Sequence, residues 1–418
     1  VFTGDKALAL KKRLEKLLVN PYFGRFDFKE DGKAAMPVYI GVHQYFDDNT
    51  NETLIYDWRA PIASMFYDYE LGEASYDAPE AKITGGILLK RQFRIRDGRL
   101  DLMLESEVNI MDDLLQEELS RASDEGMKNI VATIQRDQNA IIRNEHAQTL
   151  IIQGVAGSGK TSIALHGIAF LLYRFRDTLT SKDMLIISPN RVFADYISNV
   201  LPELGEESVQ EIQMETLADQ LLDHQYRFQT FFEQINSLQA NRDKTLPERI
   251  RLKSSPSFLT TLNKYAEYVE KQTFQAEDVW LSGRLIPDDY LAETFQKHRG
   301  FTATERINRT VKSTEQRVRI EYNYDLTPED RKQLKQAIKK MYNRQTLRAT
   351  YKGLFEWMGR PELFKQASGG KLEYADVFPL IYLKMKLEGK STVPWKTKHV
   401  LIDEMQDYSP VQYAVIEH

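Results

Sequence analysis

Three patterns in the 418-residue sequence predict an α/β protein: a parallel sheet around a glycine-rich turn, a small antiparallel β subdomain before it, and a large, mostly helical insertion within it. First, TLIIQG (149–154) is an aliphatic run that reads as a strand. It enters a glycine-rich turn, and a long helical pattern, GKTSIALHGIAFLLYRF, follows. Second, from Tyr22 to about Leu104 the chain alternates short runs rich in Tyr, Phe, Ile and Val, such as YFGRFDF and GGILLKRQFRIR. Turn pairs such as Asp31-Gly32 and Asp97-Gly98 separate them, which is the pattern of an antiparallel barrel or curled sheet. Third, the strand–helix alternation continues through MLIISP (184–189), RVFADYISNVLPEL and VQEIQM (209–214), lapses, and returns at HVLIDE (399–404).

The remaining elements fall around these. DKALALKKRLEKLL (5–18) places Leu8, Leu10, Leu14, Leu17 and Leu18 mainly on one helical face, and Pro21 ends the helix. Residues 105–145 return to helical spacing through Met111, Leu114, Leu115, Leu119, Ile130, Ile134 and Ile141, with Gly126 as a joint. LEYADVFPLIYLKMKL (372–387) reads as a helix returning to the α/β core, and YAVIEH as the start of another. The expected divisions are therefore 1–20, the end of a helical arm; 21–104, the β-rich subdomain; 105–216 with 371–418, the α/β domain; and 217–370, the insertion.

Composition narrows the class. With 42% hydrophobic and 28% charged residues the chain reads as a globular protein, and no apolar run approaches the roughly 20 residues of a membrane helix. The absence of cysteine excludes disulfides and thiolate metal sites and suits a reducing, cytoplasmic home. A net charge of -5 argues against a surface that coats nucleic acid throughout. Val1 in place of Met, and the arrival of chemistry only at the far end, lead us to expect a piece of a longer protein.

The chemistry is concentrated in two segments. Gly154-Val155-Ala156-Gly157-Ser158-Gly159-Lys160-Thr161 fits G-x-x-x-x-G-K-[ST] between strand and helix. Glycines let successive backbone N–H groups turn inward around a phosphate, and the following helix adds its positive end. Lys160 is expected to reach the β and γ phosphates of ATP and the Thr161 hydroxyl to hold Mg²⁺. In the second segment, Val400-Leu401-Ile402 delivers Asp403 and Glu404. A carboxylate at the end of a neighbouring strand suits the Mg²⁺, and a second one suits the attacking water. Gln138, sixteen residues before Gly154, carries an amide whose donor and acceptor match the edge of adenine.

Together, Gln138, GVAGSGKTS (154–162, ending in Ser162) and LIDEMQDYSPVQY (401–413) resemble the Q motif, motif I and motif II of superfamily 1 helicases of the UvrD, Rep and PcrA kind. The resemblance implies that Gln138 reads adenine and that Gln406 links the γ-phosphate to the nucleic-acid site. It also implies a first RecA-like domain with an insertion and a second RecA-like domain after motif II. YFGRFDF (22–28), VYIG (38–41), YDWRAPIASMFYDYE (56–70), LKRQFRI (89–95) and IVATIQRDQNAIIR (130–143) further resemble the HelD family. That family binds RNA polymerase and uses ATP while releasing it from nucleic acid and recycling it. Residues 5–18 would then be the last turns of a coiled coil. Because the resemblance assigns the γ-phosphate arginines to the second RecA-like domain, residues 1–418 by themselves are expected to bind nucleotide and turn it over very slowly.

Two readings of the partner follow: RNA polymerase, or DNA as the track of a 3′-5′ translocase; in either, the chain is expected to be monomeric and away from membranes. Where UvrD-like motors carry aromatic and hydroxyl residues that stack on bases, this chain has Ser188-Pro189-Asn190 and Met214-Glu215-Thr216, which favours the polymerase. Arg331 to Lys352, with eight basic residues and no acidic one, fits a phosphate-tracking face, an arm lying in the polymerase's nucleic-acid cleft, or a solvated helix face. Asp57-Trp58-Arg59 fits either a ligand or domain-contact motif near the nucleotide site or an aromatic buried in a small barrel with its flanking ion pair. His43, His166, His224 and His298 lack metal-ligand spacing and are expected to be structural. Gly167 stands where HelD-like chains usually have arginine, at a cost of about 1 kcal/mol of helix stability relative to alanine.

Overall fold

The structure, a computed structural model, describes residues 4–105, 134–155, 157–189, 200–240, 243–343, 345–388 and 397–418. The apolar positions expected to be helical between 106 and 133, together with Gly126, Ala156, Asn190 and Arg344, lie outside them, as does most of RVFADYISNV. The chain is an α/β protein that divides into two compact units, Val1–Glu211 with Thr397–Asp403, and Ile212–Lys396 with Glu404–His418.

The first unit opens with helix α1 (Gly4–Val19). Of its leucines only Leu17 is buried, and Leu8, Leu10, Leu14 and Leu18 are exposed, so most of its apolar face meets solvent. Seven strands follow: β1 (Gly24–Glu30), β2 (Met36–Gly41), β3 (Tyr45–Asp47), β4 (Glu52–Asp57), β5 (Gly72–Asp77), β6 (Lys82–Arg96) and β7 (Arg99–Glu105). They form one open sheet in the order β3-β4-β2-β1-β6-β5, with β7 also on β6. Contrary to a purely antiparallel expectation, β2 and β4 pair in parallel. The link between them runs out through the hairpin partner β3 and returns in the same direction as β2. The fifteen-residue β6 serves three partners because it bends, with register shifts opposite Asp27/Phe28 and at Arg94/Ile95.

Between β4 and β5 the chain forms the short helix α2 (Ser64–Asp68), and α3 (Arg136–Ile142) and α4 (Lys160–Arg174) come later. The sheet β12-β8-β9 joins β8 (Met184–Ser188), β9 (Gln210–Gln213) and β12 (His399–Ile402), with β12 parallel to β8. The strand expected at 149–154 is absent: these residues are irregular. Among the described residues no ladder meets it, and Leu150 and Ile151 are exposed while Ile152 is half-buried. One continuous core nevertheless spans the first unit, from Phe26, Val38 and Trp58 on the β side to Leu165, Ile168 and Ile186 on the α/β side.

The second unit is helical: α5 (Met214–Leu221), α6 (Phe231–Gln239), α7 (Leu246–Lys253), α8 (Pro256–Thr273), α9 (Asp288–Lys297), α10 (Ala303–Tyr322), α11 (Pro328–Met341), α12 (Leu347–Trp357), α13 (Tyr374–Glu388) and α14 (Pro410–Glu417). A small hairpin of β10 (Val279–Leu281) and β11 (Arg284–Ile286) interrupts it. Threonine caps begin α6, α10 and α11, each with an acid three residues on that closes a capping box. The helix expected to rejoin the α/β core, α13, lies in this unit, walled in by a buried ion network. Arg249 donates to both Glu373 oxygens at 2.9 and 2.5 Å. Lys253 Nζ lies 2.6 Å from Asp376 Oδ1, which also accepts from the Tyr351 hydroxyl at 2.7 Å.

Lys253 and Asp376 are fully buried, and burial pushes the Asp376 carboxyl up while Lys253 pulls it down. Removing only the cation by Lys253→Met should cost about 3–5 kcal/mol in chemical denaturation at neutral pH, and adding Asp376→Asn should recover most of it. An acid raised in the folded state binds its proton more readily there than in the unfolded chain. The K253M deficit should therefore shrink as pH falls through the carboxylate range. Separately, a Cβ on Gly167 meets nothing closer than Ile142 O at 3.9 Å. Gly167→Ala should therefore raise the melting temperature, corresponding to about 0.5–1 kcal/mol.

Candidate functional site

The turn after residue 153 owes its shape to its glycines. Gly157 and Gly159 both have φ of 78°, a conformation that costs other residues about 1–2 kcal/mol. A Cβ on Gly154 would lie 2.7 Å from Ser158 Oγ, so a side chain there would turn that hydroxyl away. Ser158 N–H donates back to Val155 O at 3.2 Å, closing the turn. Helix α4 then starts at Lys160 with Gly159 at its N-cap, and among the described residues no side-chain cap hydrogen bond is made there. The Lys160 amine folds over the turn and donates to Gly154 O and Val155 O at 3.1 and 3.0 Å. A cation and the N–H groups of a helix start thus meet at one turn, which is a setting for a phosphate.

Thr161 and Asp403 meet although 242 positions separate them: Thr161 Oγ1 donates to Asp403 Oδ1 at 3.0 Å. The parallel ladder of β8 and β12 makes this happen. Ile402 pairs with Ile187 and Asp403 N–H donates to Ile187 O at 3.1 Å, so the carboxylate emerges at the carboxyl ends of the strands. A hydroxyl and a carboxylate side by side supply oxygen ligands of the kind Mg²⁺ takes, with phosphate and water completing its shell. Among the described residues no group of three or more His, Cys, Asp or Glu could hold a metal. A tight all-protein cage is therefore not what the donor set offers.

Glu404 and Gln406 fall in the second unit, since the division of the chain passes between Asp403 and Glu404. Glu404 holds a left-handed backbone, φ 48° and ψ 46°, uncommon for a glutamate, and accepts from Gln406 Nε2 at 2.5 Å. The segment after them is anchored: Ser409 caps α14, and Gln412 Nε2 donates to the Tyr374 hydroxyl at 3.3 Å. Gln138 is engaged locally, its amide oxygen accepting from Gln135 N–H at 3.1 Å in a capping box that opens α3. Ser162 is buried in the first turn of α4, and Ala156 lies outside the described residues.

Asp57-Trp58-Arg59 is interior. Arg59 forms a fork with the two Asp57 oxygens at 2.8 Å each, donates to Ala169 O at 3.3 Å and pairs with Glu206. Of the two readings of this motif, the buried aromatic with its ion pair is what the packing displays. Sequence reasoning missed Asn139 and Arg143. Arg143 donates to Trp58 O and Arg59 O at 2.6 and 3.1 Å, while Asn139 binds Asp68 at 2.7 Å. Their signal was an asparagine at i and an arginine at i+4, the first on the buried face of a short helix and the second at its C-cap.

The buried His166 is kept neutral, its pKa lowered to about 4 by burial, and its Nδ1–H donates to Ser162 O at 2.7 Å. In the basic stretch, Arg331 pairs with Glu315 and Lys352 with Glu356, whereas Lys332, Lys335, Lys339 and Lys340 are exposed around a buried seam of Leu334 and Ile338.

Two family models match the chain. That of the DNA helicase IV HelD N-terminal domain covers residues 3–126, and that of the UvrD/REP helicase N-terminal domain covers residues 134–418. A comparison with curated proteins finds no match. No helix among the described residues is long and apolar enough to cross a membrane. A glycine-built turn and a hydroxyl–carboxylate pair at the ends of parallel strands, in a chain matched by the helicase model over more than half its length, lead to one conclusion: the chain belongs to the UvrD-like superfamily 1 helicase family, with a HelD-type N-terminal region.

Proposed function

We propose that the chain carries the ATP-binding half of a helicase-like ATPase in a RecA-like arrangement, and that its cycle is coupled to the release and recycling of RNA polymerase. The observation that carries the nucleotide reading is the contact of Thr161 with Asp403 beside a turn already folded around the Lys160 amine. On binding, Lys160 exchanges the Gly154 and Val155 carbonyls for β- and γ-phosphate oxygens. The N–H groups at the start of α4 take the remaining phosphate oxygens, and Gln138 reads the adenine edge. Mg²⁺, when bound, neutralises phosphate charge, and Thr161 and Asp403 hold it. Glu404 orients and deprotonates the attacking water, and Gln406 holds the Glu404 carboxylate while sensing the γ-phosphate. Its left-handed backbone fits that role, since strained conformations recur where geometry serves chemistry.

What supports the polymerase over DNA as the partner is the HelD-type match on the N-terminal side together with Glu215 at the start of α5. Glu215 accepts from Phe231 N–H at 3.2 Å, so an acid stands where a base-stacking aromatic was sought. The second reading is a 3′-5′ DNA translocase, and the exposed lysines of α11 suit either one, as a face that tracks DNA phosphates or as an arm in the polymerase's nucleic-acid cleft.

In titrations of residues 1–418 with MgATP, Lys160→Ala should weaken binding by at least tenfold, the worth of a charge-assisted contact. Asp403→Asn should abolish the advantage of MgATP over metal-free ATP, and an unchanged advantage would remove Asp403 from the metal site. In the full-length protein, Glu404→Gln should reduce hydrolysis by about 10²–10⁴-fold while leaving MgATP affinity within about twofold. ATPase assays with added RNA polymerase or single-stranded DNA decide the partner. Stimulation and strand unwinding with DNA alone, without polymerase binding, would establish the translocase instead.

A further inference from the structure

The helix that follows the phosphate turn carries a second pattern on its opposite side. His166, Ala169, Phe170 and Tyr173 follow one another at intervals of three, one and three residues, so they form one face of α4. Every one of them is gripped by the same small group of residues. The Trp58 ring meets His166 edge to face with centroids 5.6 Å apart. Arg59 donates to Ala169 O at 3.3 Å, and its guanidinium lies 4.7 Å from the Tyr173 ring centre. The Arg143 guanidinium lies 5.2 Å from the Phe170 ring centre and donates to Trp58 O at 2.6 Å. The group is itself rigid: Trp58 N–H donates to Gly41 O at 2.9 Å, and Asp57 holds Arg59 in a fork.

At its upper end this stripe reaches the phosphate turn. His166 Nδ1 stands 2.7 Å from Ser162 O and 3.4 Å from Ser162 Oγ. A carbonyl only accepts, so Nδ1 carries the imidazole proton and donates to the first turn of the helix. His166 Nε2 and Trp58 Nε1 are buried with no hydrogen-bond partner among the described residues, so the imidazole directs its hydrogen bonding to Ser162 alone. Ser162 directly follows Thr161, whose hydroxyl faces Asp403.

We propose that Trp58 and His166 are positioning residues for the metal-holding hydroxyl. Trp58, Arg59 and Arg143 act as a splint that sets the rotation and axial register of α4. His166 passes that register to Ser162, and so to the direction in which Thr161 presents its oxygen. The proposal rests on the nucleotide reading above, and goes beyond it by assigning the conspicuous Asp57-Trp58-Arg59 segment a part in metal–nucleotide binding without any contact to the ligand.

The test compares His166→Leu, which loses the Nδ1 donor, with His166→Asn, whose amide nitrogen replaces it. Each variant of residues 1–418 is titrated with ATP in Mg²⁺ and with ATP in EDTA, alongside its melting temperature. His166→Leu should lose about five- to tenfold in MgATP affinity, the worth of one hydrogen bond, and stay within about twofold for metal-free ATP. His166→Asn should restore MgATP affinity to within about twofold of the parent. If His166→Leu does not fold, His166→Gln takes its place, since its amide lies at the Nε2 position and leaves Ser162 O without the donor. Equal losses with and without Mg²⁺, no loss in the Leu or Gln variant, or an Asn variant no better than either would overturn the proposal. Lys160→Ala separates the two layers: if that variant binds both forms of ATP like the parent, the fault lies in the nucleotide reading itself.

Discussion

The fork between Arg59 and Asp57 is the interaction on which the first unit turns. Both groups are buried, at 5% and 4% exposure, and a guanidinium so placed is tolerable only if its donors are matched. Asp57 takes two donors, Ala169 O and Glu206 take others, and the ring of Tyr173 covers a face. The partners come from β4, from α4 and from the segment after Leu201, which are distant in sequence. Satisfying one charge therefore fixes three parts of the chain against one another. Arg143 repeats the device from α3 by capping the carbonyls of Trp58 and Arg59.

The same logic organises the second unit with different residues. Arg249 and Lys253 lie one helical turn apart on α7 and face Glu373 and Asp376, three residues apart at the start of α13. Pairs at these spacings lie on one face of each helix, so two cations meet two anions in a single buried seam. A cavity of about 340 Å³ in this unit is walled by Lys253, Tyr374 and Phe378 together with Gln406 to Pro410. The residues that follow Glu404 are thus packed with the insertion's own helices.

Much of this was legible in sequence because the signals were local. The glycine spacing of 154–159 and the alternation of 22–104 each depend on neighbours within a few residues. The strand at 149–154 was misread for the complementary reason. Aliphatic residues make a strand only where a partner strand supplies hydrogen bonds, and among the described residues no ladder meets them. The leucines of α1 were legible as an amphipathic face, but their exposure was not, since a pattern states what can be buried and says nothing of what buries it.

By itself the sequence determined the kind of chemistry: a turn that only glycines can make, a lysine and a threonine at its end, and two carboxylates delivered by an aliphatic run. It also carried the family, through motifs whose residue types and spacing are set by that chemistry. The tertiary structure decided which of those residues meet. It brought Thr161 to Asp403 through the register of β12 on β8, and packed Trp58 and Arg143, far apart in sequence, against His166 and Phe170 on one face of α4. The physical reason is range: backbone conformation answers to adjacent residues, whereas charge pairing and close packing are settled by whichever distant segments the fold places within a few ångströms.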